Sequence, residues 1–147
     1  MRELDAHAWD MAAAAEEHVE VLSVEAAHGE WAARDDGGDA TDDGATFLDV
    51  RDVRERWIEG AIPGDTHAPR GMVEFWADPE TDYYRDYFDP DRRYVLYCNE
   101  GGRSALAAKA LRDMGFVDVA HVEGGFTAWQ AAGYEQAAVE QPDYSDR

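Results

Sequence analysis

The sequence predicts an α/β fold, a parallel sheet with helices on both faces, and three observations predict it. Short runs of strand character, TFLDV at 46–50, RYVLYC at 93–98 and FVDVAHV at 116–122, alternate with stretches of helical periodicity. These runs are almost continuously apolar, as strands covered on both faces must be. The chain has 147 residues, the usual length of one domain, which hides roughly 70% of its unfolded surface.

Taken in order, residues 1–18 read as an N-terminal arm or short helix, since AWDMAAAAEEH has helix formers but a thin apolar face. VEVLS at 19–23 reads as a short strand, and Ser23 is placed to cap a helix through VEAAHGEWAAR, with Glu25 and Glu30 on its wet side. The Asp- and Gly-rich stretch at 35–44 reads as a solvated loop and lacks the ordered spacing of a calcium loop. TFLDV is a buried strand. DVRERWIEG is a short helix closed by Gly60, and AIPGDTHAP is extended because Pro63 and Pro69 forbid helix. Residues 70–93 carry Phe75, Trp76, Tyr83, Tyr84, Tyr87 and Phe88, read as a helical excursion packed on the core. RYVLYC is a central strand. SALAAKALRDMG is a helix with Leu106, Ala110, Leu111 and Met114 at helical spacing, ended by Gly115. FVDVAHV adds a strand, GGFTAWQAAG a last helix with Trp129 on its buried side, and residues 136–147 a polar tail.

Composition narrows the partners. There are 33 acidic residues against 13 basic ones, a net charge of −20, and Lys109 is the only lysine. Such a charge repels nucleic acid and anionic membrane surfaces, so neither is an expected partner. An acidic, lysine-poor composition also matches proteins that work in concentrated salt, where the screening length falls to about 3 Å near 1 M. A single cysteine excludes an internal disulfide, and five scattered histidines give no metal-ligand spacing, so no metal is expected. Neither an 18-residue apolar run nor a charged-then-apolar leader is present, which predicts a cytoplasmic protein.

That one cysteine, Cys98, stands where the central strand meets a helix, the place where parallel sheets gather ligands. Gly101 and Gly102 can adopt positive φ and curl the backbone so that successive N–H groups converge, and a helix beginning near Ser104 adds its positive end. An anion is favoured there. With Arg103 nearby, the anion is read as the Cys98 thiolate, a nucleophile, in preference to an inert buried thiol.

CNEGGRS at 98–104 resembles the CxxGxRS loop of the rhodanese (sulfurtransferase) family. LDVR at 48–51 resembles that family's LIDVR, EGAIPGD at 59–65 its GHIPGA, THAPRG at 66–71 its INIPRG-like segment, and HVEGGFTAW at 121–129 its LxGGxxAW. The likeness runs from about residue 19 to about residue 135. It implies a five-stranded parallel sheet and transfer of a sulfane sulfur, with no metal or organic cofactor. In that chemistry Cys98 attacks a donor such as thiosulfate, holds the sulfur as a persulfide, and passes it to cyanide, a small thiol or a protein acceptor. The resemblance implies substrate contacts from the amides of Asn99, Glu100, Gly101, Gly102, Arg103 and Ser104. Arg103 would steady the loop or neutralise the anion, and Ser104 would donate to the thiolate and cap the helix. Asp49 and Arg51 would support the loop by pairing with its groups, while Gly60, Pro63, Gly124 and Gly125 would shape turns.

One departure and one competing reading bear on substrate. Members that use thiosulfate readily often carry a basic residue just after the cysteine, whereas here Asn99 and Glu100 follow. A carboxylate opposes a dianion by about 1 kcal/mol at about 4 Å in water. The competing enzyme reading is a phosphatase or arsenate reductase of the C-x5-R type, but Cys98 and Arg103 enclose only four residues. A non-catalytic binding module is the third reading, and a persulfide carrier serving a protein partner stays open beside it.

Overall fold

β-Branched and aromatic side chains at 46–49, 93–97 and 118–122 form the interior strands of the computed structural model, which describes residues 1–34 and 44–143. Among the described residues there are five strands: β1 (Glu20–Leu22), β2 (Thr46–Asp49), β3 (Thr66–His67), β4 (Arg93–Tyr97) and β5 (Asp118–Val122). They pair in the order β1-β5-β4-β2-β3, and every pair is parallel. The helices are α1 (Ala8–Glu16), α2 (Val24–Ala32), α3 (Val53–Glu59), α4 (Val73–Ala77), α5 (Gly102–Met114) and α6 (Gly125–Ala131). None of them is long and apolar enough to cross a membrane.

The period-2 geometry of β4 divides the core. Tyr94, Leu96 and Cys98 face a cluster with Val73, Ala107, Ala108, Leu111 and Phe116, so α4 and α5 cover that side. Val95 and Tyr97 face Ala27, Phe126 and Trp129, so α2 and α6 cover the other. Helices therefore lie on both faces, as the sequence predicts. Local caps agree: the Ser23 hydroxyl accepts from the Ala26 amide, and Asp52 forms a reciprocal capping box with Glu55 at the start of α3.

Two expectations are corrected. The aromatic segment supplies only a five-residue helix, α4, because Pro79 and Pro90 interrupt it. Phe88 is buried and Trp76 and Tyr87 pack beside it, but Phe75, Tyr83 and Tyr84 are exposed. Helix α5 starts at Gly102, and Met114 is exposed; its buried residues are Ser104, Ala105, Ala107, Ala108 and Leu111. The reason is that α5 is covered twice. The sheet takes Ala107, Ala108 and Leu111, while Ala12 and Ala15 of α1 close on Ala105, and only small side chains permit both approaches. Of the two forms expected for the N-terminal residues, arm or short helix, 8–16 take the helix, packed on α5. Residues 35–43 of the expected acidic loop and 144–147 of the expected tail lie outside the described residues.

At the far edge from the strand carboxyl ends, Arg93 ties three elements at once. Its guanidinium reaches Glu20 of β1, Glu30 of α2 and Asp118 of β5 at 2.8, 2.5 and 2.6 Å.

Candidate active site

The chain leaves β4 toward β5 and leaves β2 toward β3, on opposite sides of the β4–β2 pair. This is the switch point at which parallel sheets open a crevice. Cys98 directly follows β4 at that point, and Arg51 lies two residues beyond β2.

The loop from 98 to 101 is held in shape from behind. The first amides of α6, Phe126 and Thr127, donate to the Cys98 and Asn99 carbonyls at 2.8 and 3.1 Å. With its carbonyls turned toward α6, the loop turns an amide the other way: Gly101 N–H donates to Cys98 Sγ at 3.1 Å. This arrangement needs two glycines. Gly101 has φ 97°, and at Gly125 (φ 56°) a Cβ would stand 2.3 Å from the Cys98 carbonyl oxygen. Gly125 therefore lets α6 approach the loop, a closer role than shaping a turn, while Gly124 (φ 76°) shapes the turn that enters α6. Gly102 is corrected in kind. Its φ is not positive, and what its missing side chain admits is the ring of Trp9, about 3.1 Å from where a Cβ would sit.

Cys98 is only 1% exposed, so the thiol lies under cover instead of at an open mouth. It still lines a cavity of about 250 Å³, bounded by Trp9, Glu100, Gly102, Arg103 and Leu106. Of the amides expected around the sulfur, Gly101 is the one within hydrogen-bonding reach of Sγ. Ser104 Oγ lies 3.5 Å from Sγ and caps no amide; Gly101 holds the N-cap position of α5 without a side-chain bond.

Asn99 and Arg103 turn away from the sulfur. Asn99 Oδ1 accepts from Arg51 at 3.1 Å, and its amide donates to Glu59 at 2.9 Å. Arg103 makes a two-pronged pair with Glu55 of α3 at 2.8 and 3.0 Å, and this pairing is the main reason its guanidinium holds its proton more tightly than usual. Arginine thus steadies the loop through a helix. Glu100 is exposed beside the cavity.

Arg51 carries the loop's other support. It is fully buried and donates to both Asp49 oxygens at 2.9–3.1 Å, to the Gly60 carbonyl at 2.7 Å and to Asn99, and it lies 4.6 Å from the Phe126 ring centroid. Arg56 adds a bond to Asp49 at 2.8 Å. Burial alone pushes the Asp49 carboxyl up, but the hydrogen bonds and charge of Arg51 more than reverse this and hold it below the usual range. Arg51 therefore reaches the loop through Asn99, whereas Asp49 touches no loop group and acts on the loop only by holding Arg51.

Two side chains join the site without having been singled out. Ser104 Oγ meets His121 Nδ1 at 2.9 Å, and His121 Nε2 meets Glu16 of α1 at 2.8 Å. The available signal was a polar residue between Ala120 and Val122 in a strand buried on both faces, where an imidazole must find partners. Glu16 had no such signal.

A model of the rhodanese-like domain matches residues 30–132. The thiosulfate sulfurtransferase GlpE of Pseudoalteromonas translucida is 44% identical over 87 residues, 58% of this chain and 73% of that protein. The probable adenylyltransferase/sulfurtransferase MoeZ of Mycobacterium tuberculosis is 35% identical over 83 residues, 56% of this chain and 19% of that protein. The chain thus spans under one fifth of MoeZ, and 43% of a matching Bacillus subtilis relative. A solved Rhodopseudomonas palustris protein of unknown function, described as a possible tyrosine phosphatase, superposes with a TM-score of 0.79 at 37% identity, covering 92% of this chain and 98% of that one. With its five-stranded parallel sheet, its glycine-shaped cysteine loop and a family model covering most of its length, the chain belongs to the rhodanese-like domain family.

Proposed function

We propose that this protein is a sulfurtransferase in which Cys98 carries the sulfur. The carrying observation is Cys98 Sγ at the end of β4, met by the Gly101 amide and facing a cavity sized for a small reactant. The thiolate attacks the outer sulfur of a donor such as thiosulfate. An Sγ–S bond forms, the donor's S–S bond breaks, and its electron pair leaves with sulfite. A thiolate or cyanide acceptor then takes the outer sulfur, and the Sγ–S electron pair returns to Cys98. Neither step calls for a metal or organic cofactor. A Bacillus subtilis relative named a putative sulfur carrier protein supports a carrier role beside transfer to a small acceptor, and the acid-rich composition fits a saline cytoplasm.

The phosphatase description of the R. palustris structure gives the second reading. Phosphate recognition uses an arginine fork, and here the Arg103 fork is already filled by Glu55. Sulfur transfer is favoured on that ground.

Protein incubated with thiosulfate at about 1 M salt should gain the mass of one sulfur atom, and Cys98→Ala should gain none. Equal labelling of both, or turnover of aryl phosphates in place of labelling, would remove the assignment. Glu100 gives a further expectation. The loading rate should rise with ionic strength as its repulsion of a dianion is screened, and Glu100→Lys should flatten that rise. A wild-type rate that falls steadily with added salt would contradict it.

A further inference from the structure

Cys98 is the first member of a hydrogen-bonded chain that ends on the N-terminal helix. Sγ lies 3.5 Å from Ser104 Oγ, Ser104 Oγ lies 2.9 Å from His121 Nδ1, and His121 Nε2 lies 2.8 Å from Glu16 Oε2. Cys98, Ser104 and His121 are each at most 1% exposed, whereas the Glu16 side chain is 34% exposed. The chain thus runs from the buried thiol to water. Its outer end borders a second cavity of about 290 Å³, lined by Trp9, Glu16, Glu100, His121 and Glu123.

The donors and acceptors can be ordered. A carboxylate only accepts, so Glu16 requires a proton on His121 Nε2. Burial lowers the proton affinity of His121 below its ordinary value, partly offset by Glu16, so the ring is neutral at neutral pH and Nδ1 is a vacant acceptor. Ser104 must then donate to Nδ1, which leaves its oxygen lone pairs facing Cys98 S–H. Every link points the same way.

We propose that Ser104, His121 and Glu16 form a relay that removes the Cys98 proton when the thiol ionises for sulfur transfer. The S–H proton passes to Ser104 Oγ as the serine proton passes to His121 Nδ1. The products are a thiolate and an imidazolium, the latter paired with Glu16, so no net charge is created in the buried space. When the acceptor has taken the outer sulfur and the thiolate returns to its resting state, the proton travels back. Ser104 touches the reacting atom. His121 and Glu16 act through it as positioning residues. The charged groups facing His121 are Glu16 from α1 and Glu123 from the turn after β5, with Glu100 across the cavity; all are acidic and all favour the imidazolium. This makes α1, outside the residues matched by the family model, part of the site.

The relay rests on the reading of Cys98 as sulfur carrier, but thiol ionisation can be read with no sulfur donor present. Cys98 is the chain's one cysteine, so iodoacetamide reports on it alone. At about pH 7, Glu16→Gln and His121→Phe should each be alkylated about tenfold more slowly than the wild type. At about pH 10 all three should react alike, because an ordinary thiol, with a pKa of about 8.5, is ionised there without help. Unchanged rates at about pH 7, or equal losses at both pH values, would overturn the relay, the second result revealing altered access instead. Glu16→Gln keeps the size of a partly exposed side chain and so serves even where the buried His121→Phe fails to fold. Failure of sulfur loading with the alkylation pattern intact would instead count against the donor chemistry.

Discussion

Arg51→Gln is expected to lower folding stability by about 3–5 kcal/mol, the range seen when one partner of a buried ion pair is removed. The arginine is fully buried, and its loss leaves Asp49 with Arg56 and the main-chain N–H of residue 51, the Gly60 carbonyl without its guanidinium donor and Asn99 held only by its amide bonds to Glu59 and Glu55. Urea unfolding would show it as a lower midpoint with an unchanged slope. A loss under about 1 kcal/mol would mean that the pair is only a surface-like contact. The pH dependence follows from the depressed Asp49 carboxyl. A group held lower in the folded protein contributes its full stability above its unfolded value, about 3.9, and loses it as pH falls through the folded value. Wild-type protein should therefore keep this contribution down to about pH 4. In Arg51→Gln the upward push of burial is less opposed, so acid unfolding should begin at higher pH.

Gly125→Ala is expected to reduce sulfur loading by about a hundredfold or more, the effect of removing a preformed main-chain donor. The added Cβ would fall 2.3 Å from the Cys98 carbonyl oxygen and 2.7 Å from the Asn99 carbonyl carbon. These are backbone atoms and cannot step aside singly. The loop must move, and the Gly101 amide moves with it. Gly133→Ala is the matched control. Its φ of 77° is also left-handed, but a Cβ there meets nothing within 4 Å, so it should lose only the local backbone preference of about 1–2 kcal/mol and load normally. Similar loading defects in both variants would show that α6 does not shape the loop.

These sites differ in how legible they were. β2, β4 and β5 could be read from apolar runs because each is covered on both faces. Cys98 could be read from its place between a strand and a glycine-shaped helix start. Asp49 and Arg51 came from the resemblance alone, since nothing in periodicity says that Arg51 folds back on Asp49. The bond between His121 and Glu16 joins residues 105 apart in the chain, and no local pattern encodes such a pairing. Gly102 shows a subtler limit. A glycine can serve its own φ or a neighbour's bulk, and only the position of Trp9 decides between them.

Arg93 shows what scarcity of cations does to such a protein. One guanidinium serves Glu20, Glu30 and Asp118 together, so its neutralisation strands three anions at a single seam, whereas neutralising any one of those acids leaves two attachments standing. Tolerance to random change is consequently lopsided. Substitution of acids is diluted among many, while the fragility of the molecule is concentrated in a handful of arginines.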